Sequence, residues 1–256
     1  MHLLGTLIMS ILLIRSPASQ APPSPVDLGG LWMLLGDSQT DGRATGSTQS
    51  PVTALRAIWD ETETPPTNQH ANGEGGRSLL ETNQYYTGRA ERTDRTFVYF
   101  QESGDQNNTG QTTAEEFGDT FDDFITEILS NTPNAVIVVE TAFSFGREAE
   151  AFRNWTDYNT ELAARVATWQ GLGEAVYLSE VDRNIKALQI LLTPTEVWFQ
   201  AAEENAYHYK GTGNLMVALT LLDSLHYPMG DLDLSGILEP TAPQIAACLQ
   251  VIADHQ

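Results

Sequence analysis

The chain has 256 residues, 41% of them hydrophobic and 18% charged, which is enough apolar content for one large core and too much for a disordered or fibrous chain. With 34 acidic and 13 basic side chains the formal net charge is −21, a field that repels phosphate backbones and anionic lipid, so nucleic acid is not an expected partner. Cys248 is the only cysteine, which excludes an internal disulfide framework, CxxC zinc sites and cysteine-held iron–sulfur clusters.

In chain order, residues 3–14 form a short apolar run, LLGTLIMSILLI, followed by the Pro/Ser/Ala tract RSPASQAPPSP. This reads as a secretory signal peptide over residues 1–21 and a Pro/Ser-rich linker over 22–28, so a secreted or periplasmic protein is expected. The run is shorter than the roughly 20 residues of a membrane-crossing helix, so no stable membrane span is expected. Residues 29–256 then form one domain, because no linker or repeat divides them.

Residues 31–35, 96–100, 135–139 and 175–178 are short apolar runs without alternation, the pattern of parallel strands covered on both faces. Between them the period changes. Phe117, Phe121, Phe124, Ile125 and Ile128 share one helical stripe, opened by Thr113 with Glu116 three residues on as a capping box. Trp155, Tyr158, Leu162, Val166 and Trp169 make a second stripe, and Leu215, Ala218, Leu219 and Leu222 a third. Alternating strands and helices predict an α/β protein, a three-layer α/β/α sandwich with a mainly parallel sheet, whose ligands bind at the carboxyl ends of the strands.

After the first strand comes Gly36-Asp37-Ser38-Gln39-Thr40-Asp41-Gly42-Arg43, which puts a serine hydroxyl on a tight strand-to-helix turn. Asp37 and Ser38 can serve there as helix caps, or Ser38 as a nucleophile. A nucleophilic serine needs a base. Of the five histidines, His2 lies in the leader, His255 is next to the last residue, His226 follows a helix end and His70 sits in a polar loop. His208 stands directly before the third helical stripe, with Asn205 three residues earlier and Glu203 and Glu204 close by.

GDSxTxG after an apolar first strand resembles block I of the GDSL, or SGNH, hydrolases, whose sheet is flavodoxin-like. That resemblance implies that Ser38 attacks ester carbonyls and that His208 is the base, in the place of the family's DxxH block. Asn205 occupies the aspartate position; a carboxamide can fix the imidazole tautomer but supplies no charge, so Asn205, Glu203 or Glu204 is left as the orienting group. Gly76, in Asn72-Gly73-Glu74-Gly75-Gly76-Arg77-Ser78, matches the family's oxyanion-hole glycine. Gln106 or Asn107 matches the carboxamide after the central strand, and the Ser38 backbone N–H completes the donor set. Residues 101–105 also resemble the QGESD block of the sialic-acid O-acetylesterase and acetylxylan-esterase branch.

The resemblance therefore implies a secreted serine esterase acting on a small-molecule or polysaccharide ester, first of all an acetyl ester of a carbohydrate, with Tyr85, Tyr86, Tyr207 and Tyr209 as candidate sugar-stacking rings. A short-chain acyl-ester or lipid hydrolase and a noncatalytic carbohydrate-binding protein are the alternatives. No cofactor or metal is expected; Asp231 to Gly236 lacks the late glutamate of a calcium loop and reads as a loop or edge segment. Asp122 and Asp123 read as solvated residues on a helix's polar face. Only Lys186 and Lys210 are lysines, and an acid-rich, lysine-poor chain suits saline surroundings and predicts stabilisation by salt.

Overall fold

Apolar runs that do not alternate become strands buried on both sides, and the computed structural model shows this directly. It describes residues 25–26, 31–36, 51–59, 68–73, 96–101, 113–141, 155–199 and 208–255. Strands β1 (Leu31–Gly36), β2 (Asn68–Gly73), β3 (Phe97–Gln101), β4 (Val136–Glu140) and β5 (Val176–Ser179) form one sheet in the order β2-β1-β3-β4-β5, and every pair is parallel. Successive side chains point to opposite faces. Trp32, Phe97, Tyr99 and Val138 join one core, while Met33, Leu35, Val98, Phe100, Ile137 and Val139 join the other.

Seven α-helices are described: α1 (Pro51–Trp59), α2 (Ala114–Asn131), α3 (Trp155–Gly171), α4 (Val181–Leu191), α5 (Pro194–Val197), α6 (Gly211–Ser224) and α7 (Ala242–His255). Helices α2 and α3 cover one face of the sheet, and α1, α4, α6 and α7 the other, which makes the three layers. A short antiparallel pair, β6 (Trp198–Phe199) and β7 (His208–Tyr209), leads into α6. The capping box at α2 is present: the Glu116 N–H donates to Thr113 Oγ1 at 3.2 Å and the Thr113 N–H to Glu116 Oε2 at 2.8 Å.

Several expectations change. His70 lies in β2, paired beside Met33 of β1, rather than in a loop. The α6 segment is not amphipathic: Gly211 through Leu222 are all buried, because α6 packs against α1, α4, α7 and β5 at once. Asp122 is not simply solvated; it accepts from the Arg165 guanidinium and, at 2.7 Å, from Trp169 Nε1, which ties α2 to α3. Tyr209 is 1% exposed and belongs to the core, so it is no stacking surface. Residues 229–231 make a single 3₁₀ turn, with no edge strand following.

Candidate active site

The direction of helix α6 shows at which end of the sheet β7 lies. Its C-terminal end is joined to the segment that precedes β1: the Val26 N–H donates to the Leu225 carbonyl at 3.1 Å, and the Tyr227 hydroxyl donates to the Val26 carbonyl. Beside it, the His226 ring meets Tyr177, the second residue of β5, edge-on at 6.2 Å. Six residues back along α6, Thr220 accepts from Asn184 Nδ2 at 3.0 Å, and Asn184 is in the first turn of α4, which starts just beyond the carboxyl end of β5. The helix therefore runs antiparallel to the strands, and its N-terminus, with β7 and His208, lies beyond the sheet's carboxyl rim.

The β1, β2 and β3 chains leave the sheet at that same rim. Gly36 pairs with Gly73, Leu35 with Phe100, Gln101 with Glu140, and Glu140 with Ser179, so one row of residues crosses the sheet at its carboxyl edge. Ser38 follows Gly36 by two residues, Gly76 follows Gly73 by three, and Gln106 and Asn107 follow Gln101 by five and six. Ser38, Gly76, Gln106, Asn107 and Asn205, with Glu203, Glu204, Tyr85, Tyr86 and Tyr207, lie outside the described residues, as do residues 1–21. His208 is described in its backbone, paired with Phe199.

The approach of β7 to α6 depends on a missing side chain. A Cβ at Gly213 would stand 2.8 Å from the Val197 carbonyl oxygen and 2.8 Å from the Tyr209 ring, closer than real contacts allow. The Lys210 N–H donates to that same Val197 carbonyl at 2.8 Å, so the segment carrying His208 is held from both sides.

One polar group at the rim was not singled out in the sequence. Glu140, the last residue of β4, is 2% exposed and is the only charged side chain among the described buried residues. Two residues after Val138, it faces the α6 layer, and its Oε2 accepts from the Tyr99 hydroxyl. In the next strand Ser179 is fully buried, and its Oγ has no hydrogen-bond partner. Taking a carboxylate out of water costs several kcal/mol unless charge-assisted hydrogen bonds offset it, and such groups cluster at functional sites. Thr141 closes the rim by accepting the Asp182 N–H at 2.9 Å, which satisfies one donor of the first turn of α4.

Cys248 offers no rival nucleophile. Burial pushes its thiol up to about 12, and Sγ lies 3.7 Å from the Thr212 carbonyl, to which it donates. Among the described residues no three His, Cys, Asp or Glu side chains are grouped to hold a metal, and no helix is long and apolar enough to cross a membrane.

No family model matches the sequence, and comparison with curated proteins gives no relative. Solved structures do match. A family 3 carbohydrate esterase of Clostridium thermocellum superimposes with a TM-score of 0.58 at 16% identity, covering 76% of this chain and 94% of that one. A member of the lipolytic G-D-S-L family from Veillonella parvula gives 0.59 at 13% identity over 78% of this chain and 100% of the other. An acetylxylan esterase from Geobacillus stearothermophilus gives 0.58 at 13% identity over 79% and 98%. At these identities the likeness is one of architecture, and the chain has the three-layer α/β/α fold of the GDSL, or SGNH, esterases.

Proposed function

We propose that the chain is an exported serine esterase that removes acyl groups, first of all acetyl groups, from a carbohydrate. The observation that carries this reading is convergence at one rim: the segments after β1, β2 and β3 leave the sheet at the end where α6 brings in β7. These segments hold the serine, the glycine loop, the carboxamides and the histidine in the order that the fold's esterases use.

In this reading Ser38 Oγ attacks the acyl carbon and passes its proton to His208. The developing oxyanion is held by the backbone N–H groups of Ser38 and Gly76 and by the side-chain amide of Gln106 or Asn107; one such donor is worth about 3–4 kcal/mol in the transition state. Collapse expels the alcohol, which takes the proton from the imidazole, and water repeats the cycle to free the acid. The likeness to an acetylxylan esterase of Geobacillus stearothermophilus and to a carbohydrate esterase of Clostridium thermocellum supports a sugar acetate as the first substrate to try.

The test is hydrolysis of p-nitrophenyl acetate and of an acetylated xylooligosaccharide by wild type and Ser38→Ala. A loss of about a thousandfold in Ser38→Ala, with the fold intact by circular dichroism, supports the esterase. Equal rates would leave the noncatalytic carbohydrate-binding reading, which the departures at Asn205 and Gln106 favour.

A further inference from the structure

We propose that the groove at the edge strand β5 binds a neutral sugar residue and that His226 is kept on its wall for that contact; the choice of a sugar rests on the reading of the chain as one that acts on a carbohydrate. The groove encloses about 430 Å³ between α3, β5 and the end of α6, within the roughly 300–1,000 Å³ of small-molecule sites. β5 stands three strand spacings, about 14 Å, from β1, whose end leads to Ser38, so this is a second site.

His226 carries the argument. Helix α6 ends in a cap of two hydrogen bonds: the His226 N–H donates to the Asp223 carbonyl at 2.9 Å and the Tyr227 N–H to the Leu222 carbonyl at 3.0 Å, which puts His226 at the left-handed position of the cap. Its φ is 65°, and no other non-glycine residue among those described has a positive φ. Glycine ordinarily stands there, because a Cβ crowds the following carbonyl oxygen. Histidine therefore costs stability at this place, and strain of that kind clusters at ligand clamps and active sites. Burial does not offset the cost: the residue is exposed, its ring meets Tyr177 edge-on at 6.2 Å, and it makes no hydrogen bond among the described residues.

The rest of the groove suits a sugar, which has apolar C–H faces and a rim of hydroxyls. Ala163, Val166 and Ala167 on α3 and Leu178 on β5 supply the apolar wall. The sheet edge supplies backbone groups. The Ile137 N–H donates to the Ala175 carbonyl at 2.8 Å and the Thr141 N–H to the Ser179 carbonyl at 3.0 Å, so the Tyr177 and Ser179 backbones face β4 and those of Val176 and Leu178 face outward. Val176 is already satisfied, its N–H by the Glu174 carbonyl at 3.0 Å and its own carbonyl by Gln170 Nε2 at 2.9 Å. Leu178 keeps a donor and an acceptor with no partner among the described residues, and the Tyr177 hydroxyl is likewise open. Glu180, to which Arg183 Nη1 donates at 2.7 Å, accepts from hydroxyls. A peptide strand would need a row of open backbone pairs, and β5 offers one. An anion would meet Glu180 and the field of 21 surplus negative charges.

The test titrates the full chain with xylohexaose, cellohexaose and mannohexaose. Binding is followed by calorimetry and by the NMR signal of the His226 ring, assigned by its absence in His226→Gly. At least one of the three is expected to shift that signal to saturation, and His226→Gly to weaken its binding at least about tenfold. The same variant should keep kcat for p-nitrophenyl acetate, which carries no sugar, within about twofold of wild type. It should also fold, since glycine suits the cap, and raise the Tm by about 2–4 °C. A Kd unchanged in His226→Gly, or a His226 signal that none of the three moves at about 5 mM, overturns the proposal. Ser38→Ala is assayed alongside to separate the two readings. If it is as active as wild type while a sugar still moves the His226 signal, the esterase reading fails and the groove stands; an inactive Ser38→Ala beside an unmoved signal removes only the groove.

Discussion

Gly213 is the residue whose identity the candidate site tolerates least among those with a described environment. It sits in the first turn of α6, where alanine would ordinarily favour the helix by about 1 kcal/mol. Here the added methyl meets the Val197 carbonyl oxygen, a backbone atom that cannot swing aside, and the Tyr209 ring, which is locked in the core. Overpacking of this kind costs about 1–3 kcal/mol, so the helix gain is outweighed or cancelled. Gly213→Ala is therefore expected to lower the Tm by about 2–4 °C for each kcal/mol lost. Because relief comes most easily by moving β7 outward, it should also depress the kcat of the proposed esterase reaction by more than it changes KM. Differential scanning calorimetry paired with the p-nitrophenyl acetate assay checks both effects; a variant with wild-type Tm and wild-type kcat would mean that β7 is not held by this contact.

At the scale of elements, the polar clasp between α2 and α3 shows what a sequence pattern leaves out. Arg165 on α3 bonds Glu161 at 2.7 Å in its own helix and reaches Asp119 at 3.1 Å, and also Asp122, across in α2. Hydrogen bonds to Glu161 and then Asp122 hold the guanidinium above its ordinary pKa. The side chains are one-quarter to two-thirds exposed, so the ion pairs themselves contribute only about 0.2–1 kcal/mol each. Asp122→Ala also leaves the Trp169 indole N–H without its acceptor, and the expected total loss is about 1–2 kcal/mol by urea denaturation. Loss of less than about 0.3 kcal/mol would show that water replaces the carboxylate fully.

The same scale explains what was legible. β1, β3, β4 and β5 show as apolar runs because both their faces are covered, and α2 shows by its stripe and its capping box. β2 reads Asn68-Gln69-His70-Ala71-Asn72-Gly73, with no β-branched residue, and it is a strand only because the open edge of β1 offers backbone donors and acceptors that need partners. Helix α7 does carry a readable start, Thr241 with Gln244 three residues on and Pro243 between, and Gln244 Oε1 accepts the Thr241 N–H at 2.8 Å. Of the candidate site, the letters around Ser38 and His208 are readable as motifs. Glu140 is not, since an acid closing an apolar run looks like any strand end until the register sets it across from Ser179 and beneath the α6 layer, within reach of Tyr99.

For the whole molecule, the decisive quantity is the surplus of 21 negative charges. The described ion pairs draw on few cations, namely Arg165, Arg183 and Lys186, and each of the three serves an acid one turn away on the same helix or its cap. With 34 acids to 13 basic residues, most carboxylates have no cation to pair with, and their mutual repulsion is stronger in the compact state than in the expanded unfolded chain. Salt shortens the reach of that repulsion, from about 10 Å at 0.1 M to about 3 Å at 1 M ionic strength. Raising sodium chloride across that range should therefore raise the Tm by several degrees. Sodium chloride acts here through screening, so potassium chloride should do the same at equal ionic strength, whereas sodium sulfate should add a further rise from exclusion at the surface. A Tm that is flat in both chlorides would show that the acidic side chains are spaced widely enough to repel one another little, and would remove the expectation that this chain is built for saline surroundings.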